Sequence, residues 1–267
     1  DEAKWQYLAG VYARKCQEKE ASVIHLQKAV EIAARKNLYL YSLAEAYLSI
    51  HQPKPAIDTL NSLVHVEPEN ASAWQLLAQA QRAGCKTSYF GIARDTEEAT
   101  LEIIQKASLE TDIVILTGGI SAGDFDFVPS VIQQAGYEIK FRSMAVQPGK
   151  PVIFATRGNQ YLVGLPGNPV SSFVQFELLV KHLIRLITGK TSKEMQITVP
   201  MGVDYKRRNT GRKAFFPVYL SEEGTALPVE YHGSAHIHSY IHAQGIVAIE
   251  IGKETISKGT LVDVRLV

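Results

Sequence analysis

Three stretches rich in glycine and proline, each closing an apolar run, constrain the second half of this chain more than any other feature. They are Thr117-Gly-Gly-Ile-Ser-Ala-Gly-Asp-Phe-Asp126, Gln147-Pro-Gly-Lys-Pro151 and Gly164-Leu-Pro-Gly-Asn-Pro-Val-Ser171. The first and third open onto helices, so strand, turn and helix alternate. That order predicts an α/β fold with a mostly parallel sheet. The continuous apolar run Asp112-Ile-Val-Ile-Leu-Thr117 fits a strand buried on both faces. Around it the pattern predicts a short strand over 88–93, helices over 96–109 and 128–136, and strands over 137–146 and 151–164, the last with a Gly158-Asn159 turn. Asn168 caps a helix with Pro169 at its first position, which runs to about Thr188 and stops at Gly189.

The chain is different on either side of this core. Ahead of it, Leu8-Ala9 with Tyr12, Leu43-Ala44 with Tyr47, and Leu77-Ala78 recur at offsets of 35 and 34 residues. Trp5 and Trp74 each stand three residues before their leucine, and Leu26 with Ala29, then Ala56 with Leu60, supply small and apolar partners. Such a period lets paired helices approach closely and stack on the next pair. The pattern resembles the tetratricopeptide (TPR) repeat over two units and the first helix of a third; the alternative is a plain helical hairpin. A TPR-like groove implies a peptide or protein partner. After Lys190 the helical period is gone. Five short strands, starting near Gln196, Lys213, Ala226, Gly245 and Thr260, predict a small barrel-like β domain. The expected division is therefore 1–70 helical repeats, 71–190 α/β domain and 191–267 β domain.

Within the loops, the residue types suggest anion and metal chemistry. Asp124 and Asp126 can share a hard cation such as Mg²⁺, or one of them simply caps the helix from Val128. Gly118, Gly119 and Gly123 allow close backbone approach to a ligand, and Ser121 offers a hydroxyl. Lys150, on its stiff turn, meets an oxyanion or stands solvated. Asn168, Pro169 and Ser171 put a helix N-terminus beside Gly167, as an anion site or as an ordinary capped end. His232, His236, His238 and His242 read as solvated loop histidines, with metal ligation the alternative, and the basic stretch Lys206-Arg207-Arg208 with Arg212-Lys213 as a solvated turn, with an anion site the alternative.

With 28 basic and 27 acidic residues, the chain has a net charge of +1, which argues against a nucleic-acid-binding surface. Cys16 and Cys85 are the only cysteines and read as reduced thiols. No apolar run reaches the roughly 18–20 residues of a membrane span, and no signal peptide opens the chain, so the expected location is cytoplasmic.

The three loops, in this order, resemble those of the molybdenum-insertion family, the MoeA/gephyrin-E type proteins. Its pattern is GG-x-S-x-G-(D/E)-x-D, then a KPGKP-like turn, then LPGNPVS opening a helix. Gln147 replaces the first lysine of the second motif. The segment Ala73–Gly84 resembles the first helix of the same domain. Gly211-Arg212, Phe216, Pro228-Val229, Gly233-Ser234, Ala243, Gly245 and Gly259 fit the family's C-terminal β domain.

The resemblance implies a homodimeric transferase that inserts molybdate into adenylylated molybdopterin with a divalent cation such as Mg²⁺, releasing AMP. It assigns Asp124 and Asp126 to the metal or the adenylyl phosphate, and Lys150 with the amides after Gly167 to molybdate or the pterin phosphate. Thr117, Gly118, Gly119, Ser121, Gly123, Pro166, Gly167, Asn168, Pro169, Ser171 and Ser234 become substrate contacts, with Arg212 a further contributor from the β domain. The family's α/β domain also opens with a strand ending in a Thr-Gly-Asp-Glu-like motif, which this chain does not carry. The expectation is binding with poor turnover, and the alternative is a non-catalytic TPR-bearing adaptor or scaffold that keeps a pterin or anion pocket.

Overall fold

The N-terminal repeat appears as three consecutive packed helices, α1 (Glu2–Lys15), α2 (Lys19–Ile32) and α3 (Asn37–Ser49), followed by α4 (Ala71–Arg82). The computed structural model describes residues 2–33, 37–50, 52, 55–56, 58–59, 62, 71–120, 127–190, 195–229 and 243–267. They form two units, Asp1–Thr87 and Ser88–Val267. In the first, α1 and α2 approach closely because Gly10 has no side chain: a Cβ there would lie 2.6 Å from Leu26. The Ser22 hydroxyl donates to the Gly10 carbonyl at 2.8 Å in the same contact. Val23 and Leu26 of α2 then pack on Leu43 and Ala46 of α3.

The second unit opens with α5 (Glu97–Glu110), capped by Thr96, whose side chain accepts from the Ala99 amide at 3.2 Å. Next come β1 (Ile113–Thr117), α6 (Val128–Gln134), β2 (Glu138–Ser143), β3 (Val146–Gln147), β4 (Pro151–Arg157) and β5 (Gln160–Leu165). A long helix follows as α7 (Pro169–Gln175), a π-turn at Phe176–Val180, and α8 (Lys181–Ile187). The first sheet has the order β1-β5-β4-β2, and its core joins Ile104 and Ala107 of α5 to Val114, Val131, Ile132, Ile153, Ala155 and Leu162.

The mostly parallel sheet expected from the strand–helix alternation is not what forms. Only β1 and β5 run parallel; β5–β4 and β4–β2 are antiparallel. The reason is local: Gly158-Asn159 is a two-residue connection between paired Arg157 and Gln160, and so short a loop can join only antiparallel strands. Two further expectations fail. Residues 88–93 form no strand, which leaves β1 as a sheet edge among the described residues. The predicted strand over 137–146 is divided between two sheets, because Val146 and Gln147 leave β2's sheet to pair in parallel with Lys213 and Ala214. At the opposite edge, β2 exposes Glu138, Lys140 and Arg142, charges that discourage the addition of another strand.

The second large sheet is built from β6 (Gln196–Pro200), β8 (Lys213–Leu220), β9 (Ala226–Pro228), β10 (Gly245–Ile249) and β12 (Leu261–Leu266), with β3 at one end. β7 (Tyr205–Lys206) and β11 (Thr255–Ile256) form a separate ladder. The order is β3-β8-β10-β12-β6, with β9 also on β8. A single bridge from Met201, just after β6, to Ala226 links the β6 end of this path to β9, which lies beside β8. Val170, Phe173 and Val174 of α7 pack on Ile246 and Phe215, joining the two sheets through apolar burial.

Candidate functional site

β1 and β5 are adjacent and parallel, so the first and third loops leave the sheet at the same end, where α/β folds bind ligands. The Gly118 amide donates to the Leu165 carbonyl, and the Thr117 hydroxyl to the Pro166 carbonyl, both at 3.1 Å. Gly118 and Gly119 adopt φ of +91° and +62°, which a side chain would strain. Gly167 lies so close that a Cβ there would sit 3.4 Å from the Gly118 Cα. Asn168 caps α7, its side chain accepting from the Ser171 amide at 3.2 Å, with Pro169 at the first helical position. Ser171 is buried. The ordinary capping role is therefore observed at Asn168. Ser121, Gly123, Asp124, Asp126, Ser234 and the four clustered histidines lie outside the described residues.

The second loop lies at the same end of the sheet, because β4 starts at Pro151 and runs antiparallel to β5, pairing Ile153 with Gly164. Lys150 follows Gly149, whose φ is +91° and whose missing Cβ would meet the Gln175 amide at 3.0 Å and Ser171 at 3.2 Å. Gln175, fully buried at the end of α7, donates through Nε2 to the Gly149 carbonyl and to the Pro151 carbonyl, the latter at 2.9 Å. One side chain thus grips the backbone on both sides of Lys150. The Met144 amide closes the turn by donating to the Lys150 carbonyl at 3.0 Å. Lys150 itself is exposed, with no side-chain partner among the described residues. It lines a cleft of about 470 Å³ together with Ser143, Met144, Ala145, Gly211 and Arg212.

Arg212 reaches this cleft from the β-rich part, because β3 carries the Lys150 loop onto β8. Its guanidinium donates to the Val146 carbonyl at 3.4 Å. Arg207 holds the Arg212 backbone: it is buried and donates to the carbonyls of Lys253 at 2.8 Å, Arg212 at 2.6 Å and Glu250 at 2.6 Å. The solvated-turn reading of Lys206-Arg207-Arg208 and Arg212-Lys213 is corrected for Arg207, which donates to three carbonyls that converge only in the fold, and for Lys213, which lies in β8. Gln175 was likewise not singled out from sequence. Its one signal is a polar residue between Val174 and Phe176 on an apolar helix face.

Among the described residues no carboxylate lines the cleft, and its two cations come from separate parts of the chain. Such a site suits an oxyanion. Among the described residues, no group of three or more His, Cys, Asp or Glu side chains could hold a metal, and no helix is long and apolar enough to cross a membrane.

Comparison with known proteins gives the family. Residues 57–186 match a probable molybdopterin binding domain, and residues 198–267 match the MoeA C-terminal region, domain IV. The class that these matches define is a probable molybdopterin binding domain followed by a MoeA C-terminal region. A molybdopterin molybdenumtransferase of Staphylococcus epidermidis is 29% identical over 220 residues, covering 79% of this chain and 52% of the relative. One from Bacillus subtilis is 29% identical over 216 residues, covering 79% and 50%. The solved molybdopterin biosynthesis MoeA protein of Pyrococcus horikosii superposes with a TM-score of 0.61 at 31% identity, over 72% of this chain and 46% of that one. From residue 57 to its end, the chain belongs to the MoeA-type molybdopterin molybdenumtransferase family. It spans about half the length of the curated relatives it matches.

Proposed function

We propose that this chain acts in molybdenum cofactor biosynthesis as a molybdopterin molybdotransferase, inserting molybdate into adenylylated molybdopterin with release of AMP. The observation that carries the reading is the cleft in which, among the described residues, Lys150 and Arg212 stand without a carboxylate. Molybdate is a tetrahedral oxyanion. A lysine ammonium and an arginine fork, carried by backbone that Gln175 and Arg207 hold in place, compensate its charge and orient it. Thr117, Gly118, Gly119, Pro166 and Gly167, at the shared end of β1 and β5, form the surface for the pterin nucleotide, with Ser121, Gly123, Asn168, Pro169 and Ser171 flanking it. Ser234 is a further contact from the β domain.

Asp124 and Asp126 would hold Mg²⁺ together with substrate oxygens, since two carboxylates leave most of its shell to phosphate and water. Bound there, the ion supplies charge neutralisation at the adenylyl phosphate. The protein's own part is to bind molybdate at Lys150 and Arg212 and to hold the nucleotide against the strand ends.

The same reading includes a three-part division at 1–70, 71–190 and 191–267, TPR-like repeats with a groove for a peptide partner, a barrel-like β domain, a homodimer and a cytoplasmic location. The Met201–Ala226 bridge supports the barrel. Turnover is expected to be slow. A second reading, an adaptor that binds pterin nucleotide without converting it, is favoured by β1 ending the sheet where an acidic strand–loop would stand. A single-turnover assay with adenylylated molybdopterin, Mg²⁺ and molybdate decides between them. Molybdate-dependent AMP release supports the transferase. Pterin binding without release supports the adaptor, and no pterin binding removes both.

A further inference from the structure

Residues 207–212, the loop that brings Arg212 to the cleft, are fastened to a single turn. That turn, residues 250–254, joins β10 to β11. The Arg207 amide donates to the Glu254 carbonyl and the Gly252 amide to the Thr210 carbonyl, both at 2.9 Å. The Arg207 side chain adds a third tie, since its fork holds the Lys253 and Glu250 carbonyls of the turn and the Arg212 carbonyl of the loop. Arg207 is 8% exposed, and among the described residues no carboxylate pairs with it. The acidic side chains of the turn are taken by other cations, Glu254 by Lys206 at 3.2 Å and Glu250 by Lys213 at 2.6 Å. Withdrawing a guanidinium from water is costly unless its donors are met. Here three carbonyls meet them, in an arrangement that suits a planar fork and not the point charge of a lysine.

What the loop presents is Arg212, and that side chain does little to fix itself. Its one hydrogen bond among the described residues, to the Val146 carbonyl, is long at 3.4 Å. The backbone therefore decides where the guanidinium starts and how far into the cleft it reaches. Arg207 does not line the cleft. We propose that Arg207 is a positioning residue of the anion site, fixing the Arg212 backbone and through it the guanidinium that meets molybdate. The inference rests on the reading of the cleft as the molybdate site. Arg207 acts by the geometry of its fork. Its charge strengthens the three carbonyl bonds and is not what attracts the anion.

Isothermal titration of molybdate into the intact chain tests this as a double-variant cycle with Arg212→Ala. Arg207→Lys keeps the charge, Arg207→Gln removes it, and neither reproduces the fork. Each should weaken molybdate binding about fivefold when Arg212 is present, and less than about twofold when Arg212 is alanine, because both changes then act on one lost contact. Far-UV circular dichroism at the titration temperature confirms that the variants are folded, and the glutamine variant carries the cycle if the buried lysine unfolds the chain. Equal losses in both backgrounds overturn the proposal, since Arg207 would then act on the anion without Arg212. So does a loss in Arg207→Gln that Arg207→Lys restores, which would make charge the cause. Weakened binding by Arg212→Ala together with full affinity in the folded Arg207 variants removes this inference alone. Unchanged binding by Arg212→Ala removes the reading of the cleft, and this inference with it.

Discussion

Arg14 in the helical unit is neutralised by Glu45, whereas among the described residues neither Lys150 nor Arg212 in the second unit pairs with a carboxylate. Around Arg14 the groups form a closed set: Tyr41 donates to Glu45 at 3.2 Å, the Tyr41 hydroxyl meets Thr87 at 3.4 Å, and Gln81 donates to Thr87 at 2.8 Å. These contacts tie α1, α3 and the end of α4 together. Around the cleft, Gln175 and Arg207 also satisfy buried polar groups, but they do so by gripping the backbone on either side of Lys150 and at Arg212. A carboxylate partner ends a cation's availability to ligands. A clamp on its backbone leaves the charge free and fixes where the side chain starts. The first arrangement is structural, and the second fits a site.

That contrast can be broken most directly at the two cations. Lys150→Ala combined with Arg212→Ala should reduce molybdate affinity by at least about a hundredfold, with each single change costing about tenfold, as expected for charge-assisted contacts. Isothermal titration measures this. Arg14→Ala should leave molybdate binding unchanged while lowering the melting temperature. Wild-type affinity in the double variant would remove the cleft from the proposed function.

Gln175→Leu tests whether the clamp positions Lys150. It leaves the Gly149 and Pro151 carbonyls without their donor, which should cost about 1–3 kcal/mol of stability in urea unfolding. Molybdate binding should fall by roughly the same factor as in Lys150→Ala if the loop loses its setting. A variant that loses stability but keeps full molybdate affinity would show the clamp to be structural only, like the Arg14 cluster.

The helical cluster makes a pH prediction of its own. Burial, followed by the nearby Glu45 carboxylate, pushes the Tyr41 hydroxyl well above the ordinary tyrosine range. A raised folded value means that the folded state keeps its proton after the unfolded chain has lost it. The contribution to stability is thus whole below about pH 10 and is lost as pH rises beyond that. Melts between about pH 9 and about pH 11 should show a steeper fall for the wild type than for Tyr41→Phe. Parallel curves would sink the assignment. The smallest expected effect is at the Thr96 cap, where Thr96→Ala should cost about 1 kcal/mol and leave both the cleft and the Arg14 cluster unaltered.

Much of this protein was legible in its residues. Helix capping by Asn168, the position of β1, the turn at Gly158-Asn159 and the change to short strands after Lys190 follow from local rules, since caps, turns and periodicity involve neighbours in sequence. The same holds for the spacing of the Gly118, Lys150 and Gly167 loops. Pairing is not local, and it decided the rest. Residues 88–93 have strand-like composition but find no partner strand. Val146 and Gln147 leave one sheet for another because Lys213 and Ala214 offer them an edge. Arg212 reaches the cleft of Lys150 only through that crossing, and Gln175 and Arg207 acquire their roles from carbonyls that lie far away in sequence. The burial of Leu43 beside the exposure of Leu8 has the same cause. Sequence determined that both belong to one pattern, and tertiary packing alone decided which of them meets another helix.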